Sequence, residues 1–222
     1  MDIFEAMKNR HSVRRYTDRK IEGETLEALV QAQNTCNTEG NLNIQLCLEE
    51  TAAFASGLMK YGAFRNVRNY IAIVGPDDAS LPEKGGYYGE KLVLRAQQLG
   101  LNTCWVAATF SKKSCTAKIA SNEKLLMVIA IGYGENQGTP HKGRSLEKLC
   151  QYDGEMSPWF KSAMEAVSLA PTAINQQKFR FILRGNSVTA LAGRGVHTET
   201  DLGIAKCHFE LGAGDADWSW TE

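Results

Sequence analysis

The chain has little of what most enzyme chemistry is built from. Its 222 residues include four histidines, scattered at His11, His141, His197 and His208. No His/Cys/Asp spacing suits a metal, and no Ser/His/Asp or Cys/His arrangement suggests a nucleophile. No metal ligand and no catalytic side chain is therefore assigned. None of the six cysteines (Cys36, Cys47, Cys104, Cys115, Cys150, Cys207) forms a C-x-x-C pair, and most lie inside apolar patterns. They read as small core residues of a protein in a reducing compartment. Net charge is zero, with 25 basic against 25 acidic residues, which argues against a nucleic-acid partner. No apolar run approaches the roughly 18–20 residues of a membrane helix, and the N-terminus lacks the apolar core of a signal peptide. A cytoplasmic protein with no membrane partner is expected. No G-x-G-x-x-G follows a strand, so a dinucleotide-binding dehydrogenase lacks support. Gly85-Gly86-Tyr87-Tyr88-Gly89 is glycine-rich but reads as opening a helix after a charged turn.

What is present is a chain that is 43% apolar, enough for a sizeable core in one or two domains. Periodicity predicts helices over 3–9, 23–33, 84–99, 112–120, 158–169 and 202–211. It predicts strands over 44–48, 70–75, 102–106, 125–131 and 179–183, with a last one near 218–220. The stretch from Gly134 to Gly143 is turn-rich. Alternating helices and strands indicate an α+β or α/β layered domain.

Against the neutral background, the N-terminus is locally basic: Lys8, Arg10, Arg14, Arg15, Arg19 and Lys20 face only Asp18. Arg10-His11-Ser12-Val13-Arg14-Arg15-Tyr16 places three guanidiniums and a hydroxyl within seven residues. Arginine offers planar, paired donors and serine a short neutral one, a set suited to a phosphate. A local anion site in a neutral protein suits one small ligand better than a polyanion. Further along stand Gly100-Leu101-Asn102 running into Cys104-Trp105-Val106, then Lys142-Gly143-Arg144, then Pro171-Thr172-Ala173-Ile174-Asn175-Gln176-Gln177 before Phe179-Arg180-Phe181.

In this order, these segments resemble the FMN-dependent nitroreductase family over most of the chain. That family opens on Arg-x-Ser-x-Arg and carries Pro-Ser-x-x-Asn before a strand. The resemblance implies an α+β, nitroreductase-like three-layer α/β/α fold. It further implies FMN as cofactor, with NAD(P)H and a nitroaromatic, quinone or related acceptor as small-molecule partners. By resemblance, Arg10, Ser12 and Arg14 would hold the phosphate, with Lys142 and Arg144, and His11 would touch the flavin's polar tail or ring edge. Trp105, Ala107 and Ala108 stand where the family's main chain approaches flavin N5, although many members have Glu-Gly where this chain has Ala-Ala. Pro171, Thr172, Ala173 and Asn175 would line the ring. The alternative is a flavin-binding or degenerate member without turnover. Dehalogenating and flavin-fragmenting relatives also remain open, since hydride chemistry resides in the flavin and leaves no substrate signature.

The chain also repeats a grammar. Residues 28–48 read helix, polar loop with Asn41, strand, and residues 163–183 read helix, loop with Asn175, strand. Residues 88–105 are echoed by 201–218. The Arg-x-Ser-x-Arg motif is intact only in front and the Pro-Thr-Ala-Ile-Asn loop only behind. In the family each flavin lies between two subunits, so the halves complement one another. The resemblance thus implies two repeats in one chain, a front half over 1–150 and a shorter rear half over 151–222. Together they form a pseudo-dimer in which a monomer holds one complete site.

Overall fold

A computed structural model describes residues 1–55, 64–140 and 142–221. The N-terminal helix α1 (Ile3–Asn9) starts at a capping box: the Asp2 side chain accepts the Glu5 N–H, and Glu5 returns to the Asp2 N–H. Helix α2 (Gly23–Gly40) leads to β1 (Gln45–Cys47) and β2 (Asn69–Pro76). Helix α3 (Leu81–Gln98) is followed by β3 (Asn102–Val106) and β4 (Glu123–Gly132). These strands form one antiparallel sheet in the order β1-β2-β4-β3.

The chain then passes through a short helix α4 (Leu146–Leu149) into β5 (Cys150–Tyr152) and helix α5 (Pro158–Ser168). Strands β6 (Phe179–Arg184) and β7 (Ser187–Ala192), helix α6 (Thr198–Ala213) and β8 (Ser219–Trp220) complete it. The second sheet has the order β5-β6-β7-β8, with β5 parallel to β6 and β8 parallel to β7.

Alternation decides what each sheet buries. On the first sheet, Ile71, Ile73, Ile129 and Ile131 face α2 and α3 through Leu29, Leu92, Val93 and Ala96. Tyr70, Ala72, Val74 and Val128 face the other way, against Val13, Tyr16, Phe54 and Phe110. The second sheet covers one face with α5 and α6, where Phe160, Phe181 and Phe209 meet. Helices α1, α3, α5 and α6 share a core between the sheets, so the layers run sheet, helices, sheet. The α+β class is as the sequence indicated. The layer order is not the α/β/α that the resemblance implied, because among the described residues the first sheet's outer face is covered by Val13, Tyr16, Phe54 and Phe110 and not by an α-helix.

The central joint is α3 against α6. A Cβ at Gly86 would strike the Thr200 carbonyl, and one at Gly203 the Glu83 carbonyl. The glycine-rich stretch expected to open a helix therefore lies inside one, where it lets two backbones touch.

Three local readings differ from the sequence. Asn37–Gly40, read as a loop equivalent to the rear one, is the last turn of α2, with Asn41 as its left-handed cap. The Asn37 side chain explains the stop, since it takes both the N–H and the C=O of Ile44. Residues 112–120 form only a short turn over Lys112–Ser114. Tyr70, Gln45 and Glu123 accept the N–H groups of Thr116, Lys118 and Ala120, replacing the bonds a helix would make. Strands β5 and β7 were not expected, although the two-residue Gly185-Asn186 turn that joins β6 to β7 is a recognised signal.

Candidate functional site

After α1 the chain becomes extended and is strapped to β3, the edge of the first sheet. Ser12 bridges Thr103 in parallel, and the Val13 N–H donates to the Thr103 carbonyl at 3.0 Å. Extended backbone sends alternate side chains opposite ways. Val13 enters the core, while Ser12 and Arg14 on either side of it line a cleft. Arg10 caps α1 and is only 3% exposed. Burial pulls its guanidinium below the usual arginine value, and the nearby Glu90 carboxylate opposes that pull.

The cleft comprises two cavities of about 400 and 470 Å³ that share Ser12, Arg14, Pro171, Thr172 and Ile174. The first is mostly apolar, walled by Trp105, Val106, Ala107 and Ala108 from the end of β3, by Ala173, and by the start of α6. The second is richer in charge: Arg10, His11, Arg14 and Arg15 face Asn136, Thr139 and Asn175. Residues separated by more than 150 positions in sequence thus meet around one space.

The rear loop adopts an unusual backbone. Ile174, Asn175 and Gln177 all have φ between 45° and 55°, and Ile174 is 87% exposed. A β-branched residue in that region is strained, so the surroundings must impose it. Asp201, in the first turn of α6, accepts the Ala173 N–H at 2.9 Å and the Gln176 side-chain amide at 2.7 Å. Burial pushes the Asp201 carboxyl above the usual aspartate range, against the pull of these donors. Gln177 accepts the Arg144 N–H at 2.7 Å and donates to the Lys142 carbonyl at 3.0 Å. Asn175 donates to the same carbonyl at 3.1 Å.

Eleven of the thirteen expected residues line one cavity or both. Lys142 and Arg144 line neither; both side chains are exposed. Only their main chain takes part, by tethering the rear loop. The connection does reach the cleft, through Asn136, Gly138 and Thr139 instead. Asn102 holds that connection, accepting the Gly134 N–H at 3.0 Å and donating to Gln137 at 3.0 Å. Sequence reading gave no site role to Ile174 or Asp201, and counted Arg15 in the basic cluster without placing it at the site. An isoleucine inside a polar loop was the available signal for Ile174.

The arrangement defines an α+β protein with a cleft that is cationic at one end and apolar at the other. A model of the family described as "Putative TM nitroreductase" matches residues 2–213, and the chain belongs to that family of oxidoreductases. Among solved structures, a putative nitroreductase from Thermotoga maritima is 22% identical, with a TM-score of 0.65 over 95% of this chain and 83% of that one. A putative NADH dehydrogenase/NAD(P)H nitroreductase from Parabacteroides distasonis is 21% identical, with a TM-score of 0.54 over 66% of this chain and 95% of that one. A nitroreductase family protein from Streptococcus pneumoniae is 13% identical, with a TM-score of 0.53 over 66% and 98%. These likenesses concern the fold. No curated protein matches the chain. Among the described residues no helix is long and apolar enough to cross a membrane.

Proposed function

We propose that the protein is an FMN-dependent oxidoreductase that passes hydride from NAD(P)H to a nitroaromatic, quinone or related acceptor. The observation that carries this reading is the meeting of Arg10, Ser12 and Arg14 with Pro171 and Thr172 around one cleft. The residues fit the cofactor's polarity. Arg10 Nε is buried without a hydrogen-bond partner, a cost that an anion at the charged end would relieve. The flat ring belongs at the apolar end, between Trp105–Ala108 and Pro171–Ala173. When bound, FMN supplies the hydride exchange itself.

The chain's own residues then bind, orient and exclude water. Ser12 and Arg14, on an extended strap, present their donors at the boundary between the two cavities. The Thr172 hydroxyl accepts the Gln177 N–H at 3.1 Å and keeps its own proton to donate into the cleft. Ala107 and Ala108 add no bulk where the main chain borders the apolar cavity.

The same reading takes 1–150 and 151–222 as two halves of a single-chain pseudo-dimer with one complete site. The order helix, strand, strand, helix, strand over α2–β3 recurs over α5–β8. The two shorter relatives align over 66% of this chain while using 95% and 98% of their own. Five of the six cysteines are buried and all are unpaired, which suits a reducing cytoplasm.

The test is an anaerobic titration of the FMN-loaded protein with NADH and NADPH. Bleaching of the flavin absorbance and its return on adding a quinone or nitroaromatic are expected. A protein that stays colourless after incubation with FMN refutes the reading. FMN bound but bleached by neither nicotinamide makes it a flavin-binding protein without turnover.

A further inference from the structure

Behind the cleft, side chains from three elements meet on one carboxylate. Glu90, in the middle of α3, is fully buried. Its Oε2 accepts the Trp105 indole N–H at 2.9 Å. Its Oε1 lies 3.0 Å from His208 Nε2 and 3.8 Å from Arg10 Nε. His208, on α6, is also fully buried, and its Nδ1 sits 2.9 Å from the Ala166 carbonyl of α5.

The geometry fixes the protons. A carbonyl only accepts, so His208 Nδ1 carries a hydrogen. Nε2 and Oε1 at 3.0 Å also need a proton between them, whichever atom bears it, because two lone pairs would repel. Glu90 and His208 thus hold one proton as a pair, leaving Oε2 for Trp105. Polar groups buried this deeply are costly unless paired, and the electron transfer proposed above uses neither.

We infer that Glu90 is a positioning residue that sets both ends of the cleft at once, by fixing the Arg10 guanidinium at the charged end and the Trp105 indole at the apolar end. The inference rests on the flavin reading. Arg10 is drawn toward Glu90 by charge at a distance too long for a hydrogen bond, so it is ordered while its donors remain free for an anion. Ordering a long side chain before the ligand arrives removes that entropy from the cost of binding. At the other end, a Cβ on Gly89 would strike the Trp105 ring. The indole therefore packs closely on α3 at Gly89, with its N–H donated to the neighbouring Glu90.

The experiment measures FMN and riboflavin affinity of the full-length apoprotein by quenching of flavin fluorescence, for wild type, Glu90→Gln, Arg10→Ala and the double variant. Glutamine still accepts from Trp105 and donates to a neutral His208 Nε2, so the carboxylate facing Arg10 is lost together with the proton it shares with His208. An unchanged melting temperature checks this. Glu90→Gln should weaken FMN about tenfold, the scale of one misplaced charge-assisted bond. Riboflavin, which lacks the phosphate, should stay within about twofold. In the Arg10→Ala background, Glu90→Gln should cost FMN nothing further.

Tighter FMN binding by Glu90→Gln would mean that the carboxylate competes with the phosphate, and would overturn the inference. So would an unchanged affinity, a parallel loss of both flavins with a fall in melting temperature, or a full additional loss in the double variant. A wild-type protein that binds neither flavin fails the flavin reading itself, and this inference with it.

Discussion

The front and rear walls of the cleft are held by different means. The Arg10–Tyr16 strap is pinned mainly by backbone: Ser12 and Val13 to Thr103, Arg15 and Tyr16 to Arg65, Tyr16 to Gly134. Such pairing is nearly indifferent to side-chain identity. The Thr172–Gln177 loop is held by side chains instead, namely Asp201, Gln176, Gln177, Asn175 and Thr172. A wall made of backbone can change its residues and keep its shape, whereas a wall made of amides and a carboxylate cannot.

The largest expected effect removes one wall entirely. Truncation after Leu149 deletes α5, α6 and the second sheet, and bares the apolar faces that α1 and α3 turn toward them. An exposed patch of that kind promotes aggregation. The fragment should fail to bind FMN and should sediment as aggregate. A soluble fragment with parental flavin affinity would show that the rear wall is dispensable.

Next comes the joint between the walls. Gly86→Ala sets a methyl against the Thr200 carbonyl, backbone against backbone. Overpacking of this kind should cost about 3 kcal/mol in urea unfolding. A loss near zero would mean that the two helices slide apart freely.

The front strap can be probed against the exposed basic pair. Arg10→Ala and Arg14→Ala should each weaken FMN binding by about 2–3 kcal/mol. Lys142→Ala and Arg144→Ala should leave it within about twofold, because neither side chain lines the cleft. Equal losses in all four variants would place the basic pair on the ligand after all.

The smallest effect is a slope with pH. Burial raises the Asp201 carboxyl, so the folded state keeps its proton to a higher pH than the unfolded chain does. Between the ordinary aspartate range and that raised value, stability falls as pH rises. Asp201→Asn removes this slope. Wild type should therefore gain on the variant in urea midpoint as pH is lowered from about 7 to about 4. Parallel profiles would show that the carboxyl does not titrate differently on folding.

These contrasts also separate what was legible in the sequence from what was not. Apolar periodicity located α1, α3, α5, β2, β3, β4 and β6 within a few residues, because their burial is decided locally. It ran short on α2, whose last turns carry polar residues and end where Asn37 reaches Ile44. It over-extended 112–120, where the sheet's side chains capture the backbone. At the site, the order of motifs brought out both walls, but basic residues near a glycine were not enough to place Lys142 and Arg144. Glu90 and His208 were invisible because each lies on a helix, where a charged residue reads as surface. Only the packing of α3 on α6 turns them inward.

That packing has a consequence for motion. A cleft spanning two sheets is only as stiff as the hinge between them, and at Gly86 and Gly203 that hinge is a contact of carbonyl on α-carbon with no side chain between. Compliance is lost first where flexible atoms are absent, so the two layers should breathe together rather than against each other. Sliding of one sheet past the other is then not what sets the width of the cleft; the pinning of its two walls is.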